Sequence, residues 1–586
     1  MKFLNKINPQ TGYFLFSVLI LWLILVLYST GLEYKLHIFY NLLYYIGDAC
    51  LIFSPLWLLG RNSRWYSVPV VWLISIYLVA SAVYYRYWGE LLPLVSIFDT
   101  SNWNHFVFEG TWHKIGWCDM AIIAIAAIYT VLSFVCKTRI TSGSAIACTY
   151  RIIGFFGSIM VWVSAMVLDY MHMIRYTRWF NNEFHTEVVY NLDTHLETRI
   201  RPSAVVGSRF SFNSGLVCFL IRQFNYLRLA HNGLKLSDEQ AKEIEKIISR
   251  QSYMTALTDS TTAGIMSRNM DKNLIFIIVE SLNAEEIGHK IDGQSITPVL
   301  DSLISAQGTV AATFMLPQIK SGGSSDGQLI YNTGLLPIES GITVQTYDKN
   351  KYHSLASFLN KRHSAEFIGE EGYTWNHRST TKAYGYDRLY EQNDIKAAGL
   401  YRQKRGDDHA ILTFAVRKIK DMPQPFFAEI TTLSMHFPFD DEGALGVKDS
   451  NEIKSTEQRY YMSLKYFDSE LKLFLDELKR LKLYDNSIIV IASDHDMDFK
   501  DHIRGSLPIC FIALNTGMTK HITTRTWQAD VFPTILDIMG MDNTAGYRGL
   551  GHSLLSDSIP ERDDAYWTTI RGVSDRIIRS DYFNLN

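Results

Sequence analysis

The chain has little cysteine and no strong excess of charge of either sign. Its 586 residues include six cysteines and carry a formal net charge of −3 at pH 7. The sequence contains no Cys-x-x-Cys spacing, which excludes the usual cysteine-based zinc motif. Only Cys218 and Cys510 lie in the later part of the chain, so a disulfide-dependent fold is not expected there. The near-neutral charge gives no reason to expect a nucleic-acid partner.

The first part of the chain lacks charge but is rich in long apolar runs. These runs lie near residues 13–31, 37–59, 66–86, 117–136 and 152–171. About 20 apolar residues in a helix cross the hydrocarbon core of a bilayer, so the pattern predicts a five-helix transmembrane domain over residues 1–171. The first run lacks a small-residue cleavage site, which favours a retained helix over a signal peptide.

Basic residues between the apolar runs predict how the chain crosses the membrane. They lie before the first run, between the second and third, and between the fourth and fifth: Lys2, Lys6, Arg61, Arg64, Lys137, Arg139 and Arg151. This alternation is the positive-inside pattern for five spans that start in the cytoplasm. Everything after about residue 172 is therefore expected to be extracytoplasmic.

After the apolar region, the pattern changes twice. Residues 172–270 are typical of a helical connector, and residues 271–586 show buried strands alternating with helices. The expected strands are Leu274–Val279, 366–369, 426–432 and 487–492, and a long helix is expected after Ser455. This alternation predicts an α/β domain with a mostly parallel central sheet and helices on both faces.

Polar side chains follow three of the predicted strands. Glu280 follows the first, His436 comes shortly after the third, and Asp494 and His495 follow the fourth. The carboxyl ends of parallel strands meet at one edge of a sheet, so these groups are expected to lie together. Carboxylates with one imidazole suit Mn²⁺, Mg²⁺ or Zn²⁺.

The glycine-rich segment 318–337 supplies a candidate nucleophile. Two glycines precede Ser324, and the following residues predict a helix from about Ser325 to Leu336. A hydroxyl at such a junction faces free backbone N–H groups and the positive end of the helix dipole. That setting favours an alkoxide or a phosphate, and the alternative is an ordinary helix cap behind a glycine turn.

These segments resemble motifs of the lipoteichoic acid synthase family, within the alkaline phosphatase/sulfatase superfamily. The matching segments are Asn273-Leu-Ile-Phe-Ile-Ile-Val-Glu-Ser281, Gly323-Ser-Ser-Asp326, Leu433-Ser-Met-His-Phe-Pro-Phe439 and Ser493-Asp-His495. The resemblance covers nearly the whole chain. It implies a multi-pass protein of the bacterial cell (inner) membrane with an extracytoplasmic sulfatase-like catalytic domain.

The resemblance also implies roles for individual residues. The ligands of a catalytic Mn²⁺ would be Glu280, Ser324, Asp494 and His495, with Ser324 also the nucleophile. The headgroup of the substrate would be held by Trp375, His377, Arg378 and His436. The sequence departs from the family pattern in three places: Ser324 replaces the usual Thr, His377 aligns with an Arg while Arg378 is shifted by one, and Asp496 replaces a Gly.

The implied activity is metal-dependent phosphotransfer. A phosphoglycerol-type headgroup would move from a membrane phospholipid donor, through a covalent ester on Ser324, to a hydroxyl of a glycan or lipid acceptor. Two enzyme alternatives share the fold: a phosphoethanolamine transferase acting on a lipid or glycan, and a sulfatase-like hydrolase. Sulfatases that mature a formylglycine resemble Cys/Ser-x-Pro-x-Arg at the nucleophile, whereas this chain reads Ser324-Ser-Asp-Gly-Gln. A third alternative is a non-catalytic membrane-anchored binding protein.

Overall fold

A computed structural model of the chain describes residues 8–32, 38–88, 91–94, 97, 114–135, 145–184, 191–192, 215–254, 260–339, 341–400, 407–447, 450–497, 507–541, 546–556 and 562–585. The chain divides into two compact units: Met1–Ile97 with His105–Arg228, and Phe98–Asn104 with Leu229–Asn586. The finer division at residues 171 and 270 stays a prediction. The basic residues Lys2, Lys6, Lys137 and Arg139 lie outside the described residues, so the predicted orientation also stays a prediction.

The first unit is helical. Its helices are Pro9–Gly31, Ile38–Phe53, Leu56–Leu59, Ser63–Trp88, Trp117–Val135 and Ala145–Phe184, and Leu216–Asn232 begins in this unit. Five segments are long and apolar enough to cross a membrane: Pro9–Gly31, Leu42–Leu59, Ser63–Arg86, Trp117–Val135 and Cys148–Trp179. The prediction of five apolar helices long enough to span a membrane is therefore confirmed.

The interior of the helical unit contains polar contacts, while apolar side chains face outward. Asp48 is buried and accepts hydrogen bonds from the Trp162 indole at 3.1 Å and the Val217 backbone at 3.3 Å. Exposed apolar residues include Leu73 and Val135. This distribution suits helices in lipid, where a polar group is stable only if it has partners inside the bundle.

The second unit is built on a nine-stranded sheet. Its strands are β1 (Asn273–Val279), β4 (Val310–Leu316), β5 (His363–Phe367), β6 (Arg388–Tyr390), β7 (Phe426–Thr431), β8 (Ser487–Ser493), β9 (Ile509–Leu514), β10 (Lys520–Ile522) and β11 (Thr526–Trp527), and a separate hairpin pairs β2 (Lys290–Ile291) with β3 (Gln294–Ser295). The strand order is β10-β4-β9-β8-β1-β7-β5-β6, with β11 beside β4. Within this sheet β9 alone pairs antiparallel with its neighbours. The expected mostly parallel sheet is confirmed.

Helices cover both faces of this sheet. They are Asp238–Met254, Ser260–Met266, Pro298–Ile304, Ser324–Thr333, Thr343–Thr346, Leu355–Phe358, His377–Ala383, Gln392–Ala397, Asp408–Ile419, Glu442–Leu445, Thr456–Arg480, Val531–Ile538, Asp564–Ser580 and Tyr582–Leu585. Alternate residues of β1 enter different cores: Phe276 packs on one face and Ile277 on the other. Both faces of β1 are thus buried, which explains its uninterrupted apolar sequence.

The strands predicted from apolar runs are present at or near their expected positions. β1, β7 and β8 match, and the segment 366–369 overlaps the end of β5. The long helix Thr456–Arg480 is capped by Ser455, whose hydroxyl accepts the Gln458 N–H at 3.2 Å. The helix expected over Ser325–Leu336 runs from Ser324 to Thr333 and ends at Gly334, which is in the left-handed conformation.

Candidate active site

The site lies where three neighbouring parallel strands end. β1 lies between β7 and β8, and all three run in the same direction. Glu280 follows β1 directly, and its backbone N–H donates to the Thr432 hydroxyl beyond β7 at 3.0 Å. Asp494 follows β8, and its N–H donates to the carbonyl of Val279 at 3.0 Å. The sheet register therefore brings together residues more than 200 positions apart.

Glu280, Asp494 and His495 form a compact buried cluster. One potential ligand atom from each lies within 4.8 Å of the others. The Nε2 atom of His495 is 3.4 Å from Oε1 of Glu280 and 3.6 Å from Oδ2 of Asp494. The structure thus brings these three predicted site residues together around a single point.

Ser324 lies at the same point. It is the first residue of the helix Ser324–Thr333, and its hydroxyl is 2.9 Å from Oε2 of Glu280 and 3.2 Å from Nε2 of His495. Ser324 is partly exposed, whereas Gly323 and Ser325 on either side are buried. A substrate can therefore reach its hydroxyl, which lies at the N-terminal, positive end of the helix dipole.

The conformation of the loop before Ser324 depends on Asp326 and two glycines. The Oδ2 atom of Asp326 accepts the backbone N–H groups of Lys320 and Gly322, both at 2.9 Å. Gly323 has a φ of 53°, and a Cβ on Gly322 would lie 2.2 Å from Oδ1 of Asp326. Glycine is required at both positions, so the Gly-Gly-Ser-Ser-Asp sequence specifies this turn.

The helix of Ser324 approaches β8 closely at Gly327. A Cβ added there would lie 2.5 Å from the backbone carbonyl oxygen of Asp494. We expect Gly327→Ala to push the helix away from Asp494, lowering stability by about 1–3 kcal/mol and reducing turnover. Thermal unfolding and transfer assays measure both effects.

Gly264 provides the matched control for this substitution. It lies in the helix Ser260–Met266, and nothing lies within 4 Å of a Cβ added there. Gly264→Ala is therefore expected to leave turnover unchanged and stability equal or higher, because alanine favours helix. Equal unfolding temperatures and equal turnover in Gly327→Ala and Gly264→Ala would show that the site does not need the close approach of Gly327 to Asp494.

The ionisable groups in the cluster shift the pKa values of one another. Burial opposes ionisation of Glu280, but the hydrogen bond and charge of His495 outweigh it and lower the Glu280 pKa. Burial and the negative charge of Glu280 raise the pKa of Asp494 to about 7. The two carboxylates therefore repel each other and favour a positive partner between them.

The donor atoms of the cluster fit a divalent cation. Oδ2 of Asp494 is buried and has no hydrogen-bond partner among the described residues. His495 Nδ1 lies 2.9 Å from the carbonyl of Asp496, to which it can donate, so Nε2 can give up its proton and offer a lone pair to a cation held by the carboxylates. Asp496 is also buried, and its own Oδ2 accepts the Leu507 N–H at 3.1 Å. It has a structural partner and lies outside the three-residue cluster.

The segment expected to hold the headgroup has an unusual backbone. Trp375 and Asn376 adopt φ values of 52° and 55°, and Trp375 is partly buried. His377 is buried, with Nδ1 2.7 Å from Glu366 and Nε2 3.5 Å from Glu370. Burial lowers its pKa, but these carboxylates outweigh that effect and raise it to about 10. His377 therefore has carboxylate partners inside the protein, and its substrate role stays a prediction.

Arg378 and His436 are more accessible than His377. The Arg378 side chain is 56% exposed and pairs with Glu391 at 2.7 Å. His436 is partly buried, with Nδ1 2.6 Å from the carbonyl of Phe437. Its charge contributes to the lowered pKa of Glu280. The substrate roles of both also stay predictions.

Some residues that shape the site were not identified from the sequence. Gln528 donates its side-chain amide to the carbonyl of Asp494 at 2.6 Å and accepts the Gln318 N–H at 2.9 Å. Ser281 donates its backbone N–H to Asp494 at 2.8 Å and its hydroxyl to Glu280 at 2.7 Å. Gln528 gives no local signal, because its partners lie far away in the chain. Ser281 follows Glu280 directly in the sequence, so its place in the site was easier to predict than that of Gln528.

Part of the second unit is similar to a known protein family. Residues 272–541 match the model of the family described as Sulfatase. Lipoteichoic acid synthase 1 of Bacillus subtilis is 22% identical over 589 residues, covering 93% of this chain and 85% of that protein. The lipoteichoic acid synthase of Staphylococcus aureus is 29% identical over 310 residues, covering 49% of this chain and 48% of that protein. The chain thus spans about half of the staphylococcal protein.

Two solved structures are similar to part of this chain. The lipoteichoic acid synthase LtaP from Listeria monocytogenes has a TM-score of 0.49 at 20% identity, and the match covers 59% of this chain and 98% of that one. The Streptococcus pyogenes phosphoglycerol transferase GacH has a TM-score of 0.41 at 14% identity, covering 59% of this chain and 93% of that one.

The family match spans every strand of the central sheet, the three residues of the cluster and Ser324, so residues 272–541 are similar to the sulfatase family in both the sheet and the site. The relatives of the chain include proteins named lipoteichoic acid synthase.

Proposed function

We propose that this membrane protein is a metal-dependent phosphotransferase that moves a phosphoglycerol-type headgroup from a phospholipid to an acceptor hydroxyl on a glycan or lipid. The observation that carries the proposal is the position of the Ser324 hydroxyl, 2.9 Å from Glu280 and 3.2 Å from His495 at the start of a helix. A nucleophile in such a place is activated by its neighbours and is open to substrate.

The reaction proceeds in two steps. In the first, Ser324 Oγ forms a bond to the phosphorus of the donor lipid as the bond from phosphorus to the diacylglycerol oxygen breaks. The serine hydroxyl passes its proton to Glu280, and the departing oxygen takes up a proton, for which His436 is the candidate donor. In the second step, the oxygen of an acceptor hydroxyl forms a bond to phosphorus and gives its proton to His436, while the bond from phosphorus to Ser324 Oγ breaks and Oγ takes back the proton from Glu280.

The residues that would hold a cation are Glu280, Ser324, Asp494 and His495. The family resemblance favours manganese. Magnesium and zinc also suit carboxylate and imidazole ligands. A bound divalent cation would supply positive charge that lowers the pKa of the serine hydroxyl and stabilises charge on the phosphoryl group.

We assign headgroup binding to the segment around Trp375 and to His436. Arg378 supports this assignment, because its pairing with Glu391 is exposed. Exposed ion pairs contribute only about 0–1 kcal/mol, so a headgroup phosphate can compete for the arginine. We also propose that the catalytic unit faces the outside of the bacterial cell membrane, where it meets its lipid donor.

The test is an assay of the full-length protein in detergent with Mn²⁺. Fluorescent phosphatidylglycerol and phosphatidylethanolamine are supplied separately, and release of diacylglycerol is followed. We expect release from phosphatidylglycerol that depends on Mn²⁺ and on Ser324. Release from phosphatidylethanolamine alone would favour the phosphoethanolamine transferase, and no release from either lipid would contradict the lipid-donor proposal.

A further inference from the structure

A second cluster of buried ionisable residues lies in the catalytic unit, separate from the metal ligands. Glu366 of β5 and Glu429 of β7 are direct partners in adjacent parallel strands, so their side chains project from the same face of the sheet. Their exposures are 1% and 0%. Two ionised carboxylates side by side in a buried site are strongly unfavourable, so the pair needs a shared proton or compensating positive charge.

Gln328 links this carboxyl pair to the helix that carries the nucleophile. It lies one turn after Ser324, and its amide nitrogen is 2.7 Å from Glu366 and 2.7 Å from Glu429. The amide has two hydrogens and can donate one to each carboxyl group. One further turn along, Asn332 donates its amide to Glu429 at 2.9 Å. Two side chains on one helix face are thus attached to two strands.

The hydrogen-bond distances around Tyr386 fit a protonated Glu429. The Tyr386 hydroxyl lies 2.7 Å from Oε2 of Glu429 and 2.9 Å from Oδ1 of Asn332, but it has a single hydrogen. The Asn332 amide nitrogen also lies 3.2 Å from the carbonyl of Gln328, which assigns its Oδ1 to the tyrosine side. The one hydrogen of Tyr386 can serve only one of these two acceptors at a time. A proton on Glu429 satisfies both contacts, because the carboxyl group can then donate to the tyrosine oxygen while Tyr386 donates to Asn332.

Glu366 is stabilised differently. It pairs with His377, whose Nδ1 lies 2.7 Å from Oε1, and it accepts the hydroxyl of Thr381 on its other oxygen. Burial opposes ionisation of Glu366, but the charge and hydrogen bond of His377 outweigh it and lower its pKa. The pair therefore consists of one ionised and one neutral carboxyl group. His377 follows Trp375 by two residues, so the same cluster reaches the segment assigned to the headgroup.

We propose that the Glu366–Glu429 pair positions the nucleophile: a protonated Glu429 and the Glu366–His377 ion pair together fix the Ser324 helix against the sheet and against the segment around Trp375. This inference rests on the proposed role of Ser324. Gln328, Glu366, His377 and Glu429 contact neither the reacting atoms nor the metal ligands, and they act on Ser324 through its helix. Loss of the Glu429 proton places a second negative charge beside Glu366 and weakens the attachment.

The pH dependence follows from this arrangement. Burial, then the charge of Glu366, raises the pKa of Glu429 from 4.5 to about 7. The folded protein binds this proton more tightly than the unfolded chain does. Its contribution to stability is therefore complete below pH 4.5 and is lost as the pH rises through about 7. The other titratable groups that face the pair are Glu370, His377, Tyr384 and Tyr386, and burial keeps both tyrosines neutral by raising their pKa values.

Two variants of the full-length protein in detergent test the inference. Glu429→Gln keeps a neutral group with a donor for Tyr386, so we expect kcat at neutral pH within about threefold of wild type and a smaller loss of kcat at alkaline pH. Gln328→Leu removes both amide donors, so we expect kcat to fall about tenfold or more with little change in KM for phosphatidylglycerol. Manganese affinity is expected to stay the same in both, which separates lost positioning from lost folding.

Glu286→Gln is the matched control, because Glu286 is a buried glutamate paired with His289 at 3.2 Å outside the site. It is expected to keep the wild-type pH profile. A Glu429→Gln profile that superimposes on the wild-type profile would overturn the inference, as would wild-type kcat in Gln328→Leu. If Gln328→Leu does not fold, the Glu429→Gln profile decides alone. An active Ser324→Ala protein would instead overturn the proposed function, whatever the two variants do.

Discussion

Replacing Ser324 with alanine is expected to reduce diacylglycerol release at least about a thousandfold, because the substitution removes the only atom that bonds to phosphorus in the proposed first step. The Ser324 hydroxyl lies within hydrogen-bond distance of Glu280 and His495. Its loss leaves Glu280, Asp494 and His495 in place, so the metal is expected to bind more weakly but still to bind, and binding of lipid is expected to persist. Intact-mass measurement during turnover provides a second readout: a phosphoglycerol adduct on the wild-type protein and none on the variant.

Two serine substitutions control this experiment. Ser324→Thr keeps the hydroxyl and is expected to retain activity within about tenfold of wild type. Ser325→Ala changes the neighbouring serine, whose hydroxyl donates to the Gly322 carbonyl at 2.9 Å. That change removes one hydrogen bond worth about 1 kcal/mol and is expected to leave the chemical step intact. An adduct on Ser324→Ala, or equal losses in Ser324→Ala and Ser325→Ala, would refute the assignment of the nucleophile.

The sequence predicted the central sheet where strands are buried on both faces. The run Leu274–Val279 has no polar residue, because both faces of β1 contact apolar cores. From this strand and β8, the C-terminal positions of Glu280, Asp494 and His495 followed directly. The structure places all three in one cluster, which makes a strand ending in a polar residue an informative signal in this fold.

Other strands could not be predicted from local pattern. β4 contains two alanines and a threonine, and β9 runs antiparallel between β4 and β8. Their places in the sheet depend on pairing with distant segments, and no periodicity in a short window encodes that pairing. For the same reason, the antiparallel direction of β9 was not predicted.

The contacts of His377 show a second limit of sequence reasoning. Its position beside Trp375 suggested a headgroup ligand, whereas the structure places it against the buried carboxylate of Glu366. Glu366 lies in β5, 11 residues earlier, and nothing in the sequence distinguishes it from an exposed glutamate. The chemistry of a histidine is set by such partners, which only the folded chain specifies.

Asp494→Asn is expected to reduce affinity for Mn²⁺ at least about a hundredfold and to abolish transfer at limiting metal. Oδ1 of Asp494 accepts the N–H groups of Ser281 at 2.8 Å and His495 at 2.7 Å. An asparagine must place its carbonyl oxygen there to keep both bonds. Its NH₂ group then occupies the place of Oδ2 and directs hydrogens, instead of a lone pair, at the cation.

Thermal unfolding separates this loss of metal from a loss of fold. In the absence of metal, Asp494→Asn is expected to be as stable as wild type or more so, since burial and the repulsion from Glu280, which raise the Asp494 pKa, no longer act against a charge there. Addition of Mn²⁺ should stabilise wild type and leave the variant unchanged, because a ligand stabilises only the protein that binds it. Asp468→Asn is the matched control: Asp468 is buried and accepts the backbone N–H groups of Val299 and Leu300 at 3.0 and 2.9 Å, away from the cluster. Equal stabilisation of Asp494→Asn and Asp468→Asn by Mn²⁺ would show that Asp494 is not a ligand, and the cation would then have to bind elsewhere.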